Sequence, residues 1–120
     1  MSCKAATRQT GDVAIVDLSG RITLGDGSGL VRDTIKDILK QGGRSMLLNL
    51  QNVTYIDSSG LGELVGAYVS VTNAGGRIKL LNAQGKVTEV LAVTKLDTVF
   101  ETFSDEGVAL RSFQPERARA

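Results

Sequence analysis

The sequence predicts an α/β domain, with a mostly parallel central sheet, an N-terminal hairpin strand and helices packed against it. Strand-like and helix-like segments alternate from Val13 to Phe100, the order produced by βα units whose strands lie side by side in parallel. The run Met46-Leu47-Leu48-Asn49-Leu50 is almost continuously apolar, as a central strand covered on both faces should be. At 120 residues the chain is one domain in size and can bury roughly two thirds of its unfolded surface.

Each element follows from local pattern. Lys4 to Thr10 reads as an edge strand, joined through a hairpin at Thr10-Gly11-Asp12 to Asp12-Val13-Ala14-Ile15-Val16-Asp17-Leu18, a β-branched strand that a turn at Ser19-Gly20 closes. Gly25-Asp26-Gly27-Ser28-Gly29 is a loop by composition, and Leu30, Val31, Ile35, Ile38 and Leu39 then share one helical face until Gln41-Gly42-Gly43. After the central strand, Val53-Thr54-Tyr55-Ile56 leads to Asp57. Leu61, Leu64, Val65, Tyr68 and Val71 recur at helical spacing up to Asn73-Ala74-Gly75-Gly76. Ile78, Leu80 and Leu81 form a short strand, and Asn82 opens a turn. Val87, Val90 and Leu91 mark a helix, Val99-Phe100 a last short strand, and Ser104-Asp105-Glu106 the start of a final helix through Leu110. The domain is expected to span 1–112, with 113–120 a flexible tail around Pro115.

Composition removes several function classes. The chain has no histidine, so a Ser-His-Asp hydrolase and a histidine-ligated zinc site are both ruled out. The single cysteine, Cys3, sits near an end expected to be mobile and allows no disulfide framework within one chain. A net charge of +1 with scattered cations gives no field for direct nucleic-acid binding. No apolar stretch approaches the length that crosses a bilayer, so a cytoplasmic protein without membrane insertion is expected. No cofactor and no resident metal are expected.

Asp57-Ser58-Ser59-Gly60-Leu61-Gly62 lies where a strand gives way to a helix. The first turn of a helix has unpaired N–H groups and about half a positive charge, so an oxyanion is stabilised there. Gly60 and Gly62 would let a partner's backbone or a nucleotide approach the hydroxyls. The plainer reading is that Asp57, Ser58 or Ser59 caps the helix. Asp57 has two further readings: it orients Ser58 or a kinase-bound metal, or it accepts phosphate itself, as in response-regulator receivers. Receivers also carry an acidic pair after their first strand, which Asp17-Leu18-Ser19-Gly20 does not supply. Ligands collect beyond the carboxyl ends of parallel strands, and the Gly20 to Gly29 loop should reach the same place. Its Arg21, Thr23, Asp26 and Ser28 either flank the serine pair or belong to a simple flexible connection.

Val53-Thr54-Tyr55-Ile56-Asp57-Ser58-Ser59-Gly60-Leu61-Gly62, preceded by Leu47-Leu48-Asn49-Leu50 and followed by Gly75-Gly76-Arg77-Ile78-Lys79-Leu80, closely resembles the STAS domain of bacterial anti-sigma factor antagonists. The resemblance runs roughly from Ala6 to Leu110. It implies a switch protein rather than an enzyme. In its unphosphorylated form such a protein binds an anti-sigma factor serine kinase and so frees a sigma factor for transcription. Phosphorylation of Ser58 would switch that binding off, and a serine phosphatase would restore it. Asp57, Ser59, Gly60, Leu61, Gly62, Thr23 and Asp26 would belong to the partner surface. Members of the family often carry an acidic residue where this chain has Arg21, which implies a different partner surface.

Two rival functions stay open at this level. STAS-like domains also serve as accessory subunits of lipid transporters or as scaffold pieces of stress-signalling assemblies, where Ser58 would be a structural cap. An enzyme using Ser58 as nucleophile would need a base, and no Ser-x-x-Lys pattern accompanies either serine.

Overall fold

The computed structural model describes residues 3–25 and 27–114. Strands β1 (Lys4–Thr10) and β2 (Val13–Ile22) form an antiparallel hairpin, and β3 (Ser45–Ile56), β4 (Arg77–Leu81) and β5 (Thr102–Phe103) continue the sheet in parallel, in the order β1-β2-β3-β4-β5. Helices α1 (Ser28–Lys40), α2 (Ser58–Asn73) and α3 (Lys86–Val93) connect successive parallel strands, and α4 (Glu106–Arg111) follows β5. Right-handed crossovers put connecting helices on one side of a sheet. The main core accordingly joins Val31, Ile35, Leu64, Val71, Val87 and Leu91 to Val16, Leu18, Leu48, Leu50 and Leu80.

The central position expected of Met46–Leu50 is observed, but its two faces are covered unequally. Met46, Leu48 and Leu50 face the three crossover helices, whereas Leu47 meets Val13, Ile15, Leu81, Ala109 and Phe113 under α4. On that second face Asn49 joins a polar network, donating to Asp17 Oδ1 at 2.8 Å and accepting from Asn82 Nδ2 at 3.3 Å.

Strand β2 does not end at Ser19-Gly20. It runs on to Ile22 because β3 is long enough to pair with it, and the register slips between Asp17 and Ser19 and again between Gly20 and Arg21. Strand β3 carries the extra residue each time, as a β-bulge requires. Leu50, Val53 and Ile56 therefore all point at the helices although they are spaced by three rather than two. Gly20, at φ 93°, supplies the backbone that Ser19-Gly20 suggested, inside a bulge instead of a turn.

Other expectations are corrected by packing. Val99-Phe100 is not a strand: Leu96–Thr98 is a 3₁₀ turn, Phe100 is driven into the core against Tyr68 with ring centroids 5.4 Å apart, and the strand is Thr102–Phe103. Leu30 and Val65 leave their helical faces for solvent, and Ala67 fills the space under α2. Cys3 is buried rather than mobile, because the Gly27 backbone packs against its side chain. Phe113, the first residue of the expected tail, is buried beside Ala109, and the buried Lys79 ammonium lies 4.6 Å from its ring centroid. Residues 115–120 of the expected tail lie outside the described residues.

Helix α4 is fastened by charge. Lys79 Nζ donates to the Ser112 carbonyl at 3.0 Å, and Arg8 bridges Asp17 at 2.6 Å and Glu106 at 2.8 Å. The hydrogen bonds from Arg8 hold both carboxyls below their ordinary range. A depressed carboxyl pKa stabilises the fold above its unfolded value and loses that contribution as pH falls through the folded value. The stabilisation is therefore complete above about pH 4.5 and is lost progressively below about pH 4. Screening of these exposed groups limits it to about 1 kcal/mol. Thermal melts of the wild type and Arg8→Gln are expected to differ at pH 7 and to converge near pH 2.

Candidate functional site at the start of α2

Ile56 ends β3 inside the core, and the chain turns at Asp57 into α2. Asp57 has extended backbone (φ −100°, ψ −173°) and is the N-cap, its Oδ1 accepting from Gly60 N at 3.0 Å. Its other oxygen, Oδ2, accepts from Leu24 N at 3.1 Å, and its own N–H donates to the Ile22 carbonyl at 3.3 Å. One residue thus ties the end of β2, the loop after it and the first turn of α2. The Gly60 N–H and then the Leu24 N–H hold its carboxyl below the usual carboxylate range, as N–H donors to a carboxylate must.

This arrangement resolves the capping question. With Asp57 serving the helix end, the Ser58 hydroxyl is spare: Ser58 is exposed, and among the described residues no hydrogen bond engages its side chain. Ser59 is half-buried in the same turn, and Gly62 is exposed with open space where a Cβ would stand. Leu61 is half-buried against the core.

Gly60 is not part of an open approach. It is buried, and a Cβ there would fall on the Ile22 carbonyl oxygen and within 3.0 Å of Ile56 Cγ2. Its lack of a side chain lets α2 start directly on the strand ends, so the surface contact expected of it is replaced by an internal one. Thr23 is half-buried and forms an isolated parallel bridge with Gly27. Asp26 lies outside the described residues.

The structure also brings to this end Leu24 and Tyr55, which sequence reasoning did not select, and sets Arg21, which it did, over Tyr55. Leu24 is 78% exposed although its N–H is fastened to Asp57. Tyr55 is 40% exposed, with the Arg21 guanidinium 5.1 Å from its ring centroid. Along α2, Gly62, Val65, Gly66 and Val69 are exposed in succession, so the outward face of this helix carries no charge at these positions. An amphipathic surface helix normally shows a polar face there. The available sequence signals were an apolar Leu24 in a glycine-rich loop and the scarcity of charge between Ser58 and Asn73, where Glu63 stands alone.

The STAS domain family model matches residues 4–109. The anti-sigma-B factor antagonist of Bacillus subtilis (strain 168) is 26% identical over 101 residues, 84% of this chain and 91% of that protein. The anti-sigma F factor antagonist of Paenibacillus polymyxa is 28% identical over 103 residues, 85% of this chain and 87% of that protein. Among solved structures, tm1081 from Thermotoga maritima superposes with a TM-score of 0.86 at 25% identity, covering 92% of this chain and 95% of that one. The phosphorylated form of the Bacillus cell fate determinant SpoIIAA does so with a TM-score of 0.71 at 20% identity, covering 92% and 100%. With the five-stranded sheet, the crossover helices and the Asp57-capped start of α2, these matches establish that the chain belongs to the STAS domain family.

Proposed function

We propose that this protein is an anti-sigma factor antagonist whose partner binding is controlled by phosphorylation of Ser58. Unphosphorylated, it binds an anti-sigma factor serine kinase and so releases a sigma factor. Phosphate on Ser58 switches the binding off, and a serine phosphatase resets it. The observation that carries this reading is the spare hydroxyl. Asp57 already caps α2, so Ser58 is exposed at the first helical position with no structural task among the described residues. The relatives named as anti-sigma factor antagonists support the same reading.

The physical mechanism needs no unfolding. A phosphoserine brings about −1.5 to −2 charges and three acceptor oxygens. At the start of a helix the N–H groups and the dipole tolerate that charge. Against a packed partner surface, however, an unmatched dianion is penalised by desolvation and like-charge repulsion. The exposed Leu24 on the loop tied to Asp57, with Val65 and Val69 farther along α2, supplies apolar contact area that such a partner would cover.

Incubation with the anti-sigma factor kinase of the same genome and ATP should add one phosphate, read by intact mass, and Ser58→Ala should abolish it. Phosphate that persists at another residue in that variant would sink the site assignment.

A further inference from the structure

We infer that Arg21, laid over Tyr55 and three residues before the exposed Leu24, is a docking element for an acidic segment of the partner protein. The inference rests on the partner-switching reading above and adds the chemistry of the partner's surface. Arg21 and Tyr55 are register partners at the carboxyl ends of β2 and β3, immediately before Ile22 and Ile56. Those two residues point into the core, so Arg21 and Tyr55 occupy the opposite face of the sheet, at the end where Asp57 starts α2.

Two observations argue for an acidic occupant, and a third for a protein surface that covers the loop beside it. First, Arg21 is exposed, and among the described residues the ion pairs of the molecule use Arg8, Arg32 and Lys79, so no carboxylate there neutralises Arg21. Second, its guanidinium is held in place, 5.1 Å from the Tyr55 ring centroid. A cation–π contact fixes the plane of the fork, so less side-chain freedom is lost when a carboxylate binds it in bidentate fashion. Third, Leu24 stands 78% exposed on a loop that Asp57 fastens.

Arginine and tyrosine are the residue types enriched at binding hot spots, and the exposed Leu24 adds apolar area on the adjoining loop. The rest of this sheet face behaves differently. Asn49, Gln51, Asn82 and Gln84 bond one another or nearby backbone, as in Asn82 Nδ2 to Asn49 Oδ1 and Gln84 Nε2 to the Gln51 carbonyl. Each of those amides has a partner within the fold, whereas among the described residues no hydrogen bond or ion pair takes up the Arg21 guanidinium, which keeps donors to give.

The test measures binding of the anti-sigma factor of the same genome to unphosphorylated wild type, Arg21→Gln, Arg21→Glu, Tyr55→Ala and Ser58→Asp. All five proteins are first shown to share one unfolding midpoint within a few degrees. Arg21→Glu should weaken binding by about tenfold or more, since it sets like charges face to face. Arg21→Gln should weaken it less and flatten its salt dependence, and Tyr55→Ala should fall between wild type and Arg21→Gln. Reversing the acidic residue on the partner should restore Arg21→Glu. Unchanged or tighter binding by Arg21→Glu overturns the inference, even where Ser58→Asp abolishes the complex and upholds the switch. Loss of binding by Arg21→Glu with retention by Ser58→Asp upholds the docking element and overturns the phosphoswitch. No complex with wild type overturns both.

Discussion

Replacing Ser58 by aspartate is expected to abolish useful affinity for the anti-sigma partner while leaving the fold almost untouched. The side chain is exposed and makes no hydrogen bond among the described residues, so its removal costs the folded state little. A carboxylate at the first position of α2 lies beside the helix N-terminus, where negative charge is mildly favourable. The unfolding midpoint should therefore stay within a few degrees of the wild type. In the proposed complex the same charge would meet a packed partner surface. A desolvation and repulsion penalty of about 4 kcal/mol would weaken binding roughly a thousandfold for the phosphoserine dianion. The single charge of aspartate should produce a smaller loss in the same direction. Calorimetric titration of both forms checks this, and equal affinities would exclude a charge-based switch at Ser58.

The second large effect is on stability and falls two residues away. Gly60→Ala would place a methyl group on the Ile22 carbonyl and against Ile56 Cγ2, both fixed parts of the strand ends. Neither can retreat without disturbing the β2–β3 pairing that ends at Ile22 and Ile56. Overpacking against backbone should cost about 3 kcal/mol, net of the helix-propensity gain of alanine over glycine. For a domain of this size that is a fall of roughly 12 °C in unfolding midpoint. Gly62→Ala is the control: the space beyond Gly62 is open, so propensity alone acts and stability should rise by up to about 1 kcal/mol. The opposite signs, read in parallel melts, separate a glycine required by packing from one that only leaves a surface small.

The contrast between these two glycines shows how far the sequence could be read. Both stand in one motif, Asp57-Ser58-Ser59-Gly60-Leu61-Gly62, and local chemistry treats them alike as absent side chains near a helix start. Only the position of Ile22, distant in sequence, makes Gly60 internal. The cap followed the same logic. Asp57, Ser58 and Ser59 are all competent N-caps, and the turn geometry that joins Asp57 to both Gly60 and Leu24 selected one of them. Where the sequence reading missed, periodicity was the wrong guide. Bulges in β3 put Leu50, Val53 and Ile56 on one face, and the buried Phe100 at the end of a 3₁₀ turn resembles a strand in composition.

By itself, then, the amino-acid sequence determined the order and type of nearly all the elements, the central place of Met46–Leu50 and the end of the sheet at which a hydroxyl would be presented. These depend on near neighbours: apolar spacing, turn residues and the rule that parallel strands open at their carboxyl ends. Tertiary structure alone decided that Ser58 is the spare hydroxyl among the described residues, that Gly60 is a packing residue and that Phe113 is buried beside Ala109. It also laid the Arg21 guanidinium over the Tyr55 ring and tied the Leu24 N–H to Asp57. Most of those outcomes turn on contacts between segments far apart in the chain, and no local pattern encodes the register slips between β2 and β3 that set Arg21 opposite Tyr55 and Ile22 opposite Ile56.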